Sequence, residues 1–149
     1  AEGAIDRDRL ACVFNQLIAR HESLRTSFAL INEEPVQKLH KEMLLHMDYV
    51  EVDEAELQQT IQRLIRPFDL NKDALLRVGL IKFEENKHVI VIDMHHIISD
   101  GVSVASLIKE FASLYEGKEL PELRLQYKDY AVWQEAALKT ASMQKQQQY

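Results

Sequence analysis

The sequence has little of what several classes of protein require. It contains one cysteine, Cys12, so an internal disulfide framework is excluded. It has no apolar run long enough to span a bilayer, and its N-terminus lacks the apolar core of a signal peptide. Lys and Arg form no cluster, and the formal net charge of -6 argues against nonspecific nucleic-acid binding. We therefore expect no nucleic-acid or membrane partner, and a cytoplasmic location by default.

The rest of the composition is that of a globular protein, with 46% hydrophobic and 28% charged residues. The length of 149 residues allows one domain with a core, and no internal repeat or linker rich in Gly and Ser divides it. Helical and strand periodicities predict one α+β unit, with helices packed on a mixed, mainly antiparallel sheet. Helices are predicted at residues 6–20, 53–65, 103–117 and from 127, and strands at 28–31, 36–39, 44–52, 75–83 and 89–94.

Several local features accompany these elements. Asp53 and Glu56 form a variant of the capping box before the second helix, and Ser103 is placed to cap the third. Cys12 falls on the apolar side of the first helix. The second helix is expected to turn four apolar side chains inward, Leu57, Ile61, Leu64 and Ile65. The last helix has aromatic residues at helical spacing, which is typical of a buried packing face: Tyr127, Tyr130 and Trp133.

The apolar strand at 89–94 runs directly into the segment HHIISDG at residues 95–101. Neighbouring strand residues face opposite sides of a sheet, so His95 and His96 cannot both line one cleft. Either one histidine takes up a proton near neutral pH, since the ordinary imidazole pKa is about 6.5, or both are polar residues at a strand end without a chemical role. The other histidines show no ligand spacing and Cys12 is alone, so we expect no metal site.

Asp100 and Gly101 also allow two interpretations. As a turn dipeptide, they favour left-handed backbone. As part of a site, Asp100 would be a buried carboxylate that needs a cationic partner, because an unpaired buried charge is very costly. Arg25 and Arg20 are the candidates, since both lie near the start of a strand that we expect beside the histidine strand. Of the two, we favour Arg25.

Three motifs together resemble one family. HHIISDG at 95–101 is similar to the HHxxxDG signature of the condensation domains of nonribosomal peptide synthetases. RHESLRTSF at 20–28 matches the RHExLRTxF motif of that family, and YKDYAVWQ at 127–134 matches YxDYAVWQ. The resemblance covers essentially the whole chain, but the family's first motif and the motifs of its second lobe are absent. Residues 1–149 thus resemble an incomplete N-terminal lobe of the two-lobed fold shared with chloramphenicol acetyltransferase.

This resemblance implies amide formation between two carrier-bound substrates, in which an acceptor aminoacyl amine attacks a donor thioester. By motif position His96 is the catalytic histidine, while His95, Asp100 and Gly101 shape the site and Asp100 pairs with Arg25 or Arg20. No cofactor is bound directly, since the substrates arrive on phosphopantetheine. The implied partners are the C-terminal lobe, the upstream and downstream peptidyl carrier proteins and an adjacent adenylation domain.

Within the family, the sequence is most similar to domains that join L-configured residues. The alternatives are an epimerisation-type domain, a coenzyme A-dependent acyltransferase of the same fold, and an interaction fragment without catalysis. We expect the lobe alone to be inactive, because half a tunnel neither excludes water nor holds two pantetheine arms, and we expect it to expose an apolar surface. Ser99 is interpreted as a loop residue, since no Gly-x-Ser-x-Gly segment surrounds it.

Overall fold

The computed structural model describes residues 3–139, which fold as four helices and two small sheets. Residues 144–149, a polar tail of low complexity in the sequence, lie outside the described residues. Helix α1 (Arg7–Arg20) begins at Asp6, whose carboxylate accepts a hydrogen bond from the Arg9 amide at 3.0 Å. Its apolar face is buried as predicted, through Leu10, Val13, Phe14, Leu17 and Ile18. Cys12 is exposed, so its placement on the apolar side was wrong: it directly precedes the buried stripe and points to solvent.

A hairpin of β1 (Thr26–Ile31) and β2 (Glu34–Leu39) forms a sheet of its own. Its turn consists of Asn32 and Glu33, both in left-handed backbone with φ of 52° and 67°, as the favoured two-residue hairpin turn requires. The turn is therefore shorter than the predicted one, and Pro35 lies in β2 opposite Leu30. Within residues 3–139 this hairpin pairs with no other strand. The strand that follows the arginines, β1, was expected beside the histidine strand, and it is not its neighbour.

The second sheet has β4 (Leu76–Glu84) between two partners. β3 (Met47–Glu51) pairs with β4 in parallel, and β5 (Lys87–Met94) pairs with it antiparallel across a two-residue turn. Two of the three strand pairs in the described chain are thus antiparallel, which confirms the predicted mixed, mainly antiparallel pairing but divides it between two sheets. β4 is the central strand and is buried through most of its length.

Helix α2 (Leu57–Leu64) connects β3 to β4 and corrects two predictions. Asp53 does not cap it through its side chain, because a short 3₁₀ turn, Glu54–Glu56, intervenes before the helix begins. Ile65 is 56% exposed, since the helix has already ended at Leu64 and the chain turns toward Pro67. Thr60 is the buried residue of this helix, while Leu57, Ile61 and Leu64 are half-buried.

Helix α3 (Gly101–Tyr115) packs against α1, and α4 (Tyr127–Leu138) lies outside the core. The rings of Phe14 and Phe111 meet with centroids 5.0 Å apart, joining the two packed helices. The core continues into β4 and reaches Ile98, in the turn that follows β5. No helix among residues 3–139 is long and apolar enough to cross a membrane.

Gly79 gives a test of the contact between α2 and β4. A Cβ added there would lie 2.6 Å from Leu64 Cδ1, so a branched side chain would displace Leu64. We expect Gly79→Val to lower the free energy of unfolding by about 1–3 kcal/mol, the usual cost of overpacking. In a Leu64→Ala background the same change should cost much less, as urea unfolding of all four proteins would measure. Equal costs in both backgrounds would contradict this contact.

Candidate active site

The candidate site is the turn of residues 95–100 that joins β5 to α3. β5 ends at Met94. The His95 amide still donates to the carbonyl of Leu75, the residue before β4, at 3.0 Å, and this bond holds the start of the turn. His96 lies on the wall of a cavity of about 650 Å³, whereas His95 is not among its lining residues. Of the two imidazoles, that of His96 therefore lines this cavity and that of His95 does not, in agreement with the expectation that they cannot share one cleft.

His96 is exposed to the cavity and held by one short hydrogen bond. Its Nδ1 lies 2.6 Å from the Ser99 carbonyl oxygen. A carbonyl can only accept, so Nδ1 carries the proton, and in the neutral ring the lone pair is then on Nε2. This arrangement leaves Nε2 as an acceptor for a proton or an N–H group.

His95 is half-buried and does not line the cavity. Its Nδ1 accepts a hydrogen bond from the Ile97 amide at 3.0 Å, and its ring lies edge-to-face with Phe68, with centroids 6.0 Å apart. A nitrogen that accepts from a backbone amide is unprotonated. His95 thus closes the turn from inside, a structural role that leaves His96 to face the cavity.

Asp100 is the N-cap of α3. Its carboxylate accepts from the Ser103 amide at 2.7 Å, and the Ser103 hydroxyl accepts from the Asp100 amide at 2.7 Å, which together form a capping box. The hydrogen bond from the Ser103 amide, followed by one from the Ser103 side chain, holds the pKa of Asp100 below its ordinary value. Ser103 is therefore the third residue of the helix and not its cap.

The structure shows neither of the two interpretations that were left open for Asp100 and Gly101. Asp100 is exposed and, among the described residues, pairs with neither Arg25 nor Arg20, because the start of α3 already supplies donors for its carboxylate. Gly101 is the first residue of α3 and does not adopt left-handed backbone. A Cβ at Gly101 would meet open space within 4 Å, so no close approach in this structure requires a glycine there.

The two arginines hold other parts of the lobe. Arg20 Nε lies 3.2 Å from Glu110 Oε2, the same oxygen that His21 Nε2 approaches to 2.6 Å. Burial alone would raise the pKa of Glu110, but hydrogen bonds from His21 and Arg20 outweigh it and lower that pKa. This cluster joins the end of α1 to α3. Arg25 donates to the His40 carbonyl at 2.6 Å and lies 3.6 Å from Glu22.

The far wall of the cavity is formed by the hairpin, the 3₁₀ turn Glu22–Arg25 and the start of α4. Gln126 joins these parts, because its side-chain amide donates to the Arg20 carbonyl at 2.9 Å and its oxygen accepts from the Glu22 amide at 3.1 Å. Lys128 lies 2.8 Å from Glu22. Sequence analysis missed Gln126, although Asp129 three residues later is the capping-box signal that marks it.

The aromatic residues of α4 were predicted to be buried and are not. Tyr127, Tyr130 and Trp133 are 54%, 49% and 63% exposed, and successive rings contact one another in tilted arrangements with centroids 6.0 and 5.7 Å apart. None of the described residues of α4 is buried, because the helix is joined to the lobe through polar contacts at its first turn. In residues 3–139, no group of three His, Cys, Asp or Glu side chains is arranged to hold a metal ion.

Comparison with known proteins identifies the family. The family model described as "Condensation domain" matches residues 1–149. The chain belongs to the condensation-domain family. It is 51% identical over 148 residues to gramicidin S synthase 2 of Aneurinibacillus migulanus, and 49% identical to tyrocidine synthase 2 of Brevibacillus parabrevis. Each match covers 99% of this chain but only 3% and 4% of these synthases. The family inferred from the three motifs is confirmed.

Solved structures confirm the fold. The X-domain from teicoplanin biosynthesis superimposes with a TM-score of 0.83 at 29% identity, over 92% of this chain and 32% of its own. The condensation domain of the monacolin K polyketide synthase MokA gives a TM-score of 0.85 at 24% identity, over 97% of this chain and 34% of its own. The α+β prediction of one lobe of a chloramphenicol-acetyltransferase-like fold is therefore confirmed, and the chain spans about a third of these condensation-type structures.

The cap of α3 predicts how this part of the condensation domain responds to acid. The pKa of Asp100 is below the ordinary 3.8 in the folded state, so its stabilisation is complete above about 3.8 and is lost as the pH falls through the folded-state pKa. We expect Asp100→Asn to lose less stability below pH 4 than the parent, because asparagine caps without titrating. Unfolding midpoints across the pH range would measure the difference.

Asp100→Ala is the matched variant. It removes the cap altogether and should lower stability at neutral pH as well, where Asp100→Asn should resemble the parent. An identical acid response in the parent and in Asp100→Asn would show that the cap does not contribute to the acid transition.

Proposed function

We propose that residues 1–149 are the incomplete N-terminal lobe of a nonribosomal peptide synthetase condensation domain and that His96 is its catalytic histidine. The reaction joins a donor acyl or peptidyl thioester to the amine of an acceptor aminoacyl thioester, with both residues L-configured. The observation that carries this proposal is the tautomer of His96: the Ser99 carbonyl holds Nδ1–H, and Nε2 is left as an acceptor on the wall of the cavity.

Amide formation requires three events. The acceptor nitrogen forms a bond to the thioester carbon, that nitrogen loses a proton, and the carbon–sulfur bond breaks to release the thiol of the donor carrier. His96 Nε2 accepts the N–H of the attacking amine, which aligns the nitrogen and gives its proton a destination. The proton can then pass to the departing sulfur, so the histidine is neutral again at the end of the cycle.

The cavity is suited to one side of such a reaction. Its walls combine apolar side chains, such as Phe28 and Leu39, with polar groups at Gln37, Gln126 and Lys128. Both substrates arrive on phosphopantetheine arms, so the proposed partners are the upstream and downstream peptidyl carrier proteins, with an adjacent adenylation domain. No cofactor bound by the lobe itself is part of this proposal.

The exposed apolar side chains support a second lobe that covers part of this surface. Leu125, Val102 and Val132 are 76%, 77% and 69% exposed, and exposed apolar side chains mark an interaction surface where they form a contiguous patch. We propose that the C-terminal lobe completes the tunnel and excludes water from the reacting thioester. On this proposal residues 1–149 alone do not catalyse amide formation.

His96→Ala in the complete condensation domain is the direct test. With aminoacyl-loaded donor and acceptor carrier proteins, we expect the rate of amide formation to fall by roughly 10²–10⁴, the usual contribution of a positioned acid–base group. His46→Ala is the matched control, because the His46 side chain is 94% exposed and lies outside the cavity. Residues 1–149 alone should give no product.

Three results would redirect the assignment. An undiminished rate in His96→Ala would remove the catalytic role of that residue. Turnover with acyl-coenzyme A in place of the loaded donor carrier would indicate a free acyltransferase. Inversion of the Cα configuration of a carrier-bound aminoacyl group, without amide formation, would indicate an epimerisation-type domain.

A further inference from the structure

The loop between α2 and β4 contacts the histidine turn and has no part in the proposed reaction. This loop is held by Arg77, the second residue of β4, whose side chain is only 15% exposed. The guanidinium lies over the ring of Phe68, with Cζ 3.7 Å from the ring centroid. A cation at this distance over an aromatic face is attracted to the ring and restricts its orientation.

Arg77 also uses its donors to fix the loop in place. It donates to the Arg66 carbonyl and, at 3.0 Å, to the Pro67 carbonyl. It pairs with Asp73 at 2.9 Å and with Asp93, its partner on β5, at 3.4 Å. The rigid fork of an arginine offers five donors in fixed directions and can serve all four acceptors, whereas a lysine has three donors on one nitrogen. One side chain thus fastens both ends of residues 66–73 to the β4–β5 pair.

Phe68 transmits this arrangement to the histidines. Its ring meets the ring of His95 at an interplanar angle of 85°. The backbone of His95 is held from the same side, since its amide donates to Leu75. The ring of His95 is therefore positioned by Phe68, within the segment that Arg77 fastens, and its backbone by Leu75, two residues before Arg77.

From these contacts we propose that Arg77 and Phe68 are positioning residues for His96, an inference that rests on the function proposed above. Phe68 sets the ring of His95 so that its Nδ1 accepts from the Ile97 amide. That hydrogen bond fixes the turn in which the Ser99 carbonyl reaches Nδ1 of His96. The direction of His96 Nε2 is then determined in part by a guanidinium that does not touch the cavity.

Desolvated ion pairs contribute little net stability, because the cost of removing charges from water offsets their attraction. The consequence of the Arg77 cluster is therefore expected in the geometry of the turn more than in the stability of the lobe. A positioning role lowers the rate of the chemical step without changing how tightly the carrier-bound substrates are held.

The test compares Phe68→Leu and Phe68→Tyr in the complete condensation domain with loaded carrier proteins. Leucine keeps an apolar side chain but removes the aromatic face, so we expect kcat to fall between about 10- and 100-fold with KM unchanged. Tyrosine keeps the ring and should retain kcat. Tyr49→Leu is the matched control, since it removes another ring that lies under an arginine, Arg7 at 4.2 Å, outside the cavity lining.

Arg77→Lys is the second variant. It keeps the positive charge and loses the fork, so it should show the same loss of kcat as Phe68→Leu. Melting temperatures of all variants establish that each is folded. If Phe68→Leu does not fold, Arg77→Lys carries the test by itself.

A His96→Ala background separates positioning from general damage. If Phe68 acts through His96, Phe68→Leu should cause no further loss once His96 is absent, because residues that act as a unit are not additive. Equal losses in both backgrounds, or a change in KM alone, would overturn the inference. A full loss in His96→Ala with full kcat in Phe68→Leu would overturn this inference alone, whereas an undiminished rate in His96→Ala would overturn the proposed function itself.

Discussion

The pairing of β4 with β5 fixes which of two adjacent histidines faces the cavity. Side chains alternate along a strand, so a shift of one residue would exchange the directions of His95 and His96. The two-residue turn between Glu84 and Lys87 starts the pairing, and an irregularity between Lys82 and Glu84 shifts its register. From Lys82 opposite His88 the ladder then continues to the pair of Leu76 with Met94. It extends one step further, to the hydrogen bond between the His95 amide and Leu75. The chemistry proposed for His96 therefore depends on a backbone ladder that begins at the opposite end of the hairpin.

The short turn after β5 also has to begin a helix, and this explains most of its polar residues. Asp100 and Ser103 satisfy each other's backbone amides at the start of α3, where four N–H groups have no partner inside the helix. Asp100 therefore needs no arginine in this structure. Arg20 is used elsewhere, with Glu110, to hold α1 against α3, the helix that the same aspartate caps. Two of the three motifs thus stabilise one helix from its start and from its side.

The spacing of apolar residues predicted the features that depend on local structure. Spacing and strand geometry predicted the buried face of α1, the β4–β5 hairpin and the fact that His95 and His96 do not both line the cavity. The ion-pair partners of the arginines could not be predicted in this way, because the pairing of Arg20 with Glu110 joins residues far apart in the sequence and has no local signal. The capping role of Asp100 did have a local signal, namely Ser103 three residues later, but a buried carboxylate with an arginine partner was considered instead. Arg77 belongs to none of the three motifs, and its contacts with residues 66–73 could be found only in the folded structure.

The α4 helix shows why spacing alone cannot assign burial. Its aromatic residues recur at helical intervals, yet the helix is held to the lobe by Gln126 and by Lys128 with Glu22. An isolated helix of this length is only marginally stable in water, and most helices in proteins are stabilised by packing of an apolar face. The aromatic face of Tyr127, Tyr130 and Trp133 is such a face without a cover in the described residues. Because the same helix begins on the cavity wall, whatever covers that face in the complete domain also fixes the distance across the cavity from α4 to His96.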